Sequence, residues 1–215
     1  MNDAKKENKL NAFDDLVKAV SYCSLCTRLY SRVKVLSDLN GNINSKVLFI
    51  AEAPGRLGAD RTKIPLYGDR TGNNFDLLLS NIGWKRKDIF ITNAILCNPR
   101  DESGNNSTPT PDEIKCCSTY LRMTINLIKP DVIATLGQKA LESLNEINPH
   151  NITLRESVGK MINWSDCKIF PLYHPGPRAV LHRSFAQQKS DFMKLSNLVD
   201  PIKGLKKRKV LKSQN

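Results

Sequence analysis

Three polar side chains lie where apolar runs of the sequence end. Glu52, Asn93 and His174 each lie within or directly after a nearly continuous apolar stretch. Together they offer a negative charge, an amide that both donates and accepts, and an imidazole that can donate a proton or a hydrogen bond. Each alone is also explained as a strand-end residue that satisfies backbone groups. Brought to one place, they would suit a reaction in which charge develops on an organic substrate.

The cysteines form a second chemically capable group. Cys23 and Cys26 make a C-x-x-C pair, Cys97 follows an apolar run, and Cys116 and Cys117 are adjacent further along the chain. The sixth begins another apolar run and is interpreted as a small buried residue. Structural zinc sites usually show two tight pairs, and only the first pair here is tight. The spread is compatible with a [4Fe–4S] cluster held by four thiolates, and spacing alone leaves zinc and metal-free thiols open.

Alternating strands and helices are predicted to position these side chains. The apolar runs are typical of strands buried on both faces of a parallel sheet, and helical spacing of apolar residues falls between them. Strands are predicted at residues 46–53, 88–96, 131–137 and 167–174, and helices at 72–82, 112–128, 138–147 and 185–199. This pattern predicts a three-layer α/β/α sandwich around a central, mostly parallel four-stranded sheet. Ligands of such sheets bind outside the carboxyl ends of the strands, where the three polar residues fall.

Length and charge limit the class of protein. The chain has 215 residues and a net charge of +12, which fits a single domain over residues 1–200 followed by a basic, disordered tail at 201–215. No run approaches the roughly 18 apolar residues of a membrane span, and the N-terminus lacks the apolar stretch of a secretory signal. We therefore expect a cytoplasmic protein, in which cysteines are metal ligands or reduced thiols rather than disulfides.

The excess of basic residues favours a polyanionic partner. Residues 201–215 contain six Lys or Arg and no acidic residue. Neutralising phosphates with such side chains releases counterions, which drives binding to nucleic acid. A solvated basic surface explains the charge equally well, so charge alone does not decide between the two.

Four motifs in order resemble a known family. AEAPG at 51–55, ITN at 91–93, PTPDEIKCC at 109–117 and YHPGP at 173–177 resemble the iron–sulfur branches of the uracil-DNA glycosylase superfamily. The glutamate of AEAPG looks like family four, whereas the stretch YGDRTG at 67–72 looks like family five. The resemblance implies a monomeric enzyme that hydrolyses the N-glycosidic bond of uracil in single- or double-stranded DNA. It also implies a structural [4Fe–4S] cluster, whose ligands would be Cys23, Cys26, Cys97 and Cys117.

The resemblance implies roles for the strand-end residues. His174 would donate a hydrogen bond to the base oxygen on which negative charge develops. Asn93 would read the base, because its amide matches the N3–H and O4 of uracil. Asp69 matches the carboxylate of family five and Glu52 that of family four; we rank Asp69 first, although either could cap a helix or pair with Arg61 instead. The turn that contacts a phosphate would comprise Ala53, Pro54 and Gly55.

The sequence departs from the family at two positions. Leu66 stands where relatives have a phenylalanine that stacks on the base, and Tyr67 beside it offers an aromatic ring instead. Arg178 stands where relatives have an apolar wedge. Arg61 and Arg183 are further candidates for phosphate contact. These departures leave open a glycosylase for another deaminated base, such as hypoxanthine or xanthine, a non-catalytic Fe–S protein that binds nucleic acid, and an Fe–S electron-transfer protein.

Overall fold

The computed structural model describes residues 2–206, which surround one five-stranded sheet. The strands are β1 (Val47–Ala51), β2 (Phe90–Asn93), β3 (Val132–Leu136), β4 (Ile162–Trp164) and β5 (Cys167–Leu172). Their order is β2-β1-β3-β5-β4. The first three and β5 are parallel, and β4 pairs antiparallel to β5 at the edge. The mostly parallel sheet is therefore confirmed, and its four predicted strands are joined by a fifth.

Helices cover both faces of the sheet. They are α1 (Asn2–Ser21), α2 (Ala59–Thr62), α3 (Arg70–Asn81), α4 (Pro111–Ile128), α5 (Gln138–Glu142), α6 (Leu154–Ser157) and α7 (Phe185–Leu198). One apolar core joins α1, α4 and α5 to one face of the sheet, and a second joins α3 and α7 to the other. In the second core the rings of Phe49, Phe75 and Phe192 pack together, with Phe75 edge-on to Phe49 at 5.3 Å between centroids. This confirms the predicted three-layer α/β/α sandwich.

Local sequence sets where α3 and α4 begin. The Asp69 side chain accepts a hydrogen bond from the Gly72 N–H at 2.8 Å, so α3 begins at Arg70. At the start of α4, Thr110 and Glu113 form a capping box in which each side chain accepts the other's backbone N–H. Such caps satisfy the free N–H groups of a first helical turn. The cap of α3 also places a carboxylate of interest at a fixed point of the fold.

The folded region extends past residue 200, where the sequence analysis places the start of the tail. Strands β6 (Val199–Asp200) and β7 (Gly204–Leu205) form a small hairpin. The carbonyl of Pro201 accepts a hydrogen bond from the Lys46 N–H at 2.7 Å, and Asp131 accepts one from the Leu205 N–H at 3.2 Å. These bonds tie the first residues of the predicted tail to β1 and β3. Residues 207–215, which hold most of its basic residues, lie outside the described residues.

No helix within residues 2–206 is long and apolar enough to span a membrane.

Candidate active site and cysteine pocket

The imidazole of His174 is held in one tautomer. It follows β5, and its Nδ1 accepts a hydrogen bond from the Gly176 N–H at 3.1 Å. Burial lowers the pKa of His174, and the nearby carboxylate of Asp69 opposes this shift. A neutral ring whose Nδ1 accepts must carry its proton on Nε2. His174 therefore presents an Nε2–H donor.

Asp69 lies against two glycines of the loop after β1. Its Oδ1 caps α3, and its Oδ2 faces Gly55 and Gly58. A Cβ on Gly58 would lie 2.5 Å from Oδ2, and one on Gly55 would lie 3.1 Å from it. Side chains at these glycines would displace the carboxylate. Asp69 thus lies near enough for its charge to oppose the lowered pKa of His174, although 105 positions of sequence separate them.

Asn93 ends β2 beside Ala51 of β1. Its side chain is 2 % exposed, and its Nδ2 has no hydrogen-bond partner among the described residues. A buried amide nitrogen without a partner costs about 1–3 kcal/mol, so such groups call for an explanation. A ligand that accepts a hydrogen bond at this point would supply one.

Glu52 faces a different neighbourhood. Burial raises the pKa of its carboxyl; Lys139 lowers that pKa and Glu142 raises it. Both neighbours belong to α5, whereas Asp69 belongs to the N-terminus of α3. Of these two carboxylates, that of Asp69 is the one whose charge acts on His174.

The turn after β1 is held by the loop at 98–109. Asn98, which is 1 % exposed, donates from Nδ2 to the Pro54 carbonyl at 2.6 Å, and its Oδ1 accepts from Arg100 at 2.7 Å. The Gly55 carbonyl accepts the N–H groups of Gly58 and Asp60. Ala53 packs against the small apolar cluster of Leu29, Ile95 and Ile114. These bonds fix the loop to the turn.

Leu66 and Tyr67 have different surroundings. Leu66 has a positive φ of 51° and packs into the second core with 8 % of its surface exposed. Tyr67 is 45 % exposed, and the guanidinium of Arg86 lies 5.4 Å from its ring centre. Arg86 also donates to the carbonyls of Pro65 and Leu66. One arginine therefore holds the loop in which both residues lie.

The three candidate DNA-contacting arginines do not share one environment. Arg61 and Arg178 are exposed, and Arg61 makes a single long bond of 3.4 Å to the Gly68 carbonyl. Arg183 instead donates two bonds, of 2.8 and 2.7 Å, to the buried carboxylate of Asp191 in α7. Two N–H groups of Arg183 are thus already bound to a carboxylate, so Arg61 and Arg178 offer freer guanidinium groups to a phosphate.

An exposed leucine, to which the sequence patterns assign no role, follows Arg178. Leu181 ends the 3₁₀ helix Pro177–Leu181, directly after the His174 loop, and is 85 % exposed. Val180 beside it is 41 % exposed. The apolar run after Arg178 could have indicated this exposed tip, because the residues of a surface turn are usually polar.

Five of the six cysteines line one pocket beside the loop that follows α1, which we call the N-terminal loop. They are Cys23, Cys26, Cys97, Cys116 and Cys117. The walls are mostly apolar and include Leu29, Ile95 and Tyr120. Within residues 2–206, no three His, Cys, Asp or Glu side chains are arranged to hold a metal ion. Cys167 lies apart and packs against the first core, as expected for a small apolar residue.

Burial in the pocket raises the pKa of three of its thiols. Burial, followed by the neighbouring thiols, raises the pKa of Cys26 to about 12. Burial raises the pKa of Cys97 to about 11 and that of Cys117 to about 12. An apolar pocket disfavours thiolates, whereas a bound metal cation favours them.

Arg28, in the N-terminal loop, connects that loop to α4. It donates two bonds of 2.8 and 2.7 Å to Glu113, and further bonds to Ser107 and the Arg100 carbonyl. Glu113 is the capping residue of α4, the helix that carries Cys116 and Cys117. The guanidinium of Arg28 thus fixes the N-terminal loop, which carries Cys23 and Cys26, relative to α4.

The sequence matches one family over most of its length. A sequence model of the uracil DNA glycosylase superfamily matches residues 40–197. A type-4 uracil-DNA glycosylase of Archaeoglobus fulgidus is 31 % identical over 196 residues, which cover 88 % of this chain and 94 % of the relative. A type-4 enzyme of Thermotoga maritima is 33 % identical over 157 residues, covering 73 % and 77 %. A type-5 uracil-DNA glycosylase of Pyrobaculum aerophilum is 24 % identical over 193 residues, covering 77 % and 83 %.

Proposed function

The chain belongs to the uracil DNA glycosylase superfamily and is a uracil-DNA glycosylase, and we propose that Asp69, Asn93 and His174 carry its reaction. The enzyme hydrolyses the N-glycosidic bond of uracil in DNA. One observation carries the assignment of residues: the Gly176 N–H donates to Nδ1 of His174, which leaves an Nε2–H for the substrate.

The reaction first takes the target nucleotide out of the base stack. Flipping costs a few kcal/mol and exposes the glycosidic bond and the edge of the base. The bond from C1′ to N1 then breaks with its electron pair going to the base. C1′ takes the oxygen of a water molecule, and the proton that this water loses neutralises the released base. Negative charge develops on the base and positive charge on the sugar, so the site must stabilise both.

His174 stabilises the negative charge. A neutral imidazole donates its Nε2–H to O2 of the departing uracil anion. The lowered pKa and the bond from Gly176 support the neutral form, which donates without competing for the proton. Preorganised donors of this kind lower barriers because they need no reorientation during the reaction.

Asn93 selects the base. The unpartnered Nδ2 would donate to O4 of uracil, and the amide oxygen would accept N3–H. Cytosine presents the reverse pattern at these two atoms, so a fixed amide discriminates against it. The burial of Asn93 supports this role, because a dry site makes an unmatched polar pair costly.

Asp69 acts on the sugar side. Its carboxylate stabilises the cationic sugar and orients the water that attacks C1′. Its cap bond to Gly72 and the close glycines Gly55 and Gly58 hold it in place. Glu52 is proposed in a supporting role at most, because its nearest charges lie on α5.

Surrounding residues are proposed to hold the DNA. Leu181 and Val180 offer an apolar tip that can enter the space left by the flipped base. Arg178 and Arg61 are exposed and suited to phosphates, as are backbone N–H groups of the turn at Pro54 and Gly55. Tyr67, being exposed, is better placed than buried Leu66 to offer a ring face to a nucleotide.

We also propose that Cys23, Cys26, Cys97 and Cys117 hold a [4Fe–4S] cluster. Each thiolate of such a cluster binds a different iron, so sulfurs around a pocket suit it without converging on one point. The common pocket and the all-thiol donor set fit this group. When bound, it would supply a rigid link between the N-terminal loop, the end of β2 and α4.

The oligomeric state and compartment are proposed from the sequence. The enzyme acts on DNA as a monomer in the cytoplasm, where reduced thiols remain available as ligands.

Base release from defined oligonucleotides tests the function. Oligonucleotides carrying one uracil, single-stranded or paired, are incubated with the anaerobically purified protein and treated with alkali. Strand breaks at uracil are the expected result. Parallel oligonucleotides with hypoxanthine or xanthine test whether the departure at Leu66 has changed the preferred base; faster cleavage there would replace the uracil assignment.

A further inference from the structure

Asn74 links α3 to the loop that carries His174. It lies in the second turn of α3, and its Nδ2 donates to the Pro175 carbonyl at 2.7 Å. No chemical role in base release requires an amide at this place. The bond nevertheless reaches the residue next to the proposed hydrogen-bond donor.

The carbonyl of Pro175 and the N–H of Gly176 belong to the same peptide unit. That unit is trans and planar, so its C=O and N–H point in opposite directions. Asn74 bonds the carbonyl on one side, and the N–H bonds His174 Nδ1 on the other at 3.1 Å. Fixing the carbonyl therefore fixes the direction of the N–H.

The loop around Gly176 is closely packed against the imidazole and α3. A Cβ on Gly176 would lie 2.8 Å from His174 Nδ1 and 3.4 Å from the Thr71 hydroxyl of α3. The peptide unit is thus confined between α3 and the imidazole. Rotating it would break both bonds at once.

We propose that Asn74 is a positioning residue that sets the tautomer of His174 through the Pro175–Gly176 peptide unit. This inference rests on the proposed function of His174 as an Nε2–H donor. The same helix holds Asp69 at its N-cap. Through its first two turns, α3 therefore positions the groups on both sides of the breaking bond.

Asn74→Asp tests the inference, because it keeps the shape of the side chain and removes the N–H donor. Asn74→Ala is the second variant and serves if the aspartate does not fold. Asn73→Asp is the matched control, since Asn73 is the exposed neighbour in the same helix and gains the same charge. We expect Asn74→Asp to slow single-turnover release of uracil about tenfold, the value of one hydrogen bond, with DNA affinity within about twofold of wild type. Asn73→Asp should stay near wild type.

Two readouts separate positioning from general stability. The ¹⁵N shifts of the His174 ring should report one tautomer, protonated at Nε2, in the wild type and a mixture in Asn74→Asp. Asn74→Asp should cost no further activity in a His174→Ala background, because the residue acts through the imidazole. An unchanged tautomer in Asn74→Asp, or an equal loss in both backgrounds, would overturn the inference. Full activity of His174→Ala alone would instead contradict the proposed function, while the ring shifts would still test Asn74.

Discussion

The carboxylate of Asp69 rests directly against the backbone of Gly58. A Cβ added to Gly58 would lie 2.5 Å from Oδ2 and 2.8 Å from Cγ of Asp69. Both atoms belong to the side chain that caps α3, which cannot move without losing its bond to the Gly72 N–H. The absence of a side chain at residue 58 is therefore a condition for the position of this carboxylate.

Gly58→Ala should slow base release by displacing Asp69. A shift of about 1 Å in a reacting group can cost roughly a hundredfold in rate, so we expect a loss of that order in the single-turnover rate. Gly83→Ala is the control, because nothing lies within 4 Å of its Cβ although its φ is +71°. It should lower the free energy of unfolding and leave the rate unchanged. A Gly58→Ala enzyme with the wild-type rate would contradict the claim that residue 58 must lack a side chain for Asp69 to keep its position.

The pKa of His174 should lie below its usual value of 6.5. Burial favours the neutral ring, and the Asp69 carboxylate favours the cation, so Asp69→Asn should lower the pKa further. Below pH 6.5 the unfolded chain takes up a proton that the native ring resists, so this histidine makes the free energy of unfolding fall with acidification. NMR titration of the ring in both proteins measures the shift. A wild-type pKa above 6.5, or a rise in Asp69→Asn, would contradict the described environment.

Neutralising Arg183 should lower stability, whereas neutralising Arg178 should change DNA binding. Arg183→Gln leaves the Asp191 carboxylate buried at 1 % exposure without its main partner, so the free energy of unfolding should fall by about 3 kcal/mol. Arg178→Gln should leave stability unchanged and reduce the salt dependence of DNA binding by about one counterion. Denaturant unfolding and a salt series of DNA affinities check the two. The reverse pattern would favour Arg183 over Arg178 as the phosphate contact.

The adjacent residues Cys116 and Cys117 should differ in whether the protein needs them to bind iron. Cys117→Ser should lose bound iron and visible absorbance, whereas Cys116→Ser should keep both. Cys167→Ser is the control, since Cys167 lies outside the pocket. Iron and acid-labile sulfide are quantified after anaerobic purification. Loss of iron in Cys116→Ser with retention in Cys117→Ser would reassign the fourth ligand to Cys116, whose thiol also contributes to the raised pKa of Cys26.

The sheet was predictable because its strands are continuous apolar runs. Each of the four predicted runs contains a strand. Glu52, Asn93 and His174 lie at or just after the carboxyl ends of three of these strands. Strand β4 was missed because it has three residues, of which Asn163 is exposed. Helix α1 was also missed, although Phe13, Leu16 and Val20 show helical spacing and are at most 2 % exposed.

The contacts that adjust the site were not predictable from spacing. Asn74 meets Pro175 only because α3 packs beside the His174 loop, and Arg183, directly before α7, folds back onto Asp191 in that helix. Long side chains with several rotamers choose a partner from whatever the fold brings near. For the same reason, sequence alone left Asp69 and Glu52 as rival carboxylates. In the structure the charge of Asp69 acts on His174, whereas Lys139 and Glu142 are the charges that act on Glu52.

The most direct test of the central claim is single-turnover release of uracil by His174→Ala and Asn93→Ala, measured with wild type on the same uracil-containing oligonucleotide. Removing a preorganised donor costs about a hundred- to a thousandfold in rate, and we predict a loss of that size for His174→Ala. Asn93→Ala should lose a similar factor, since the buried base edge is then left unpaired. Wild-type rates in both folded variants would contradict the account.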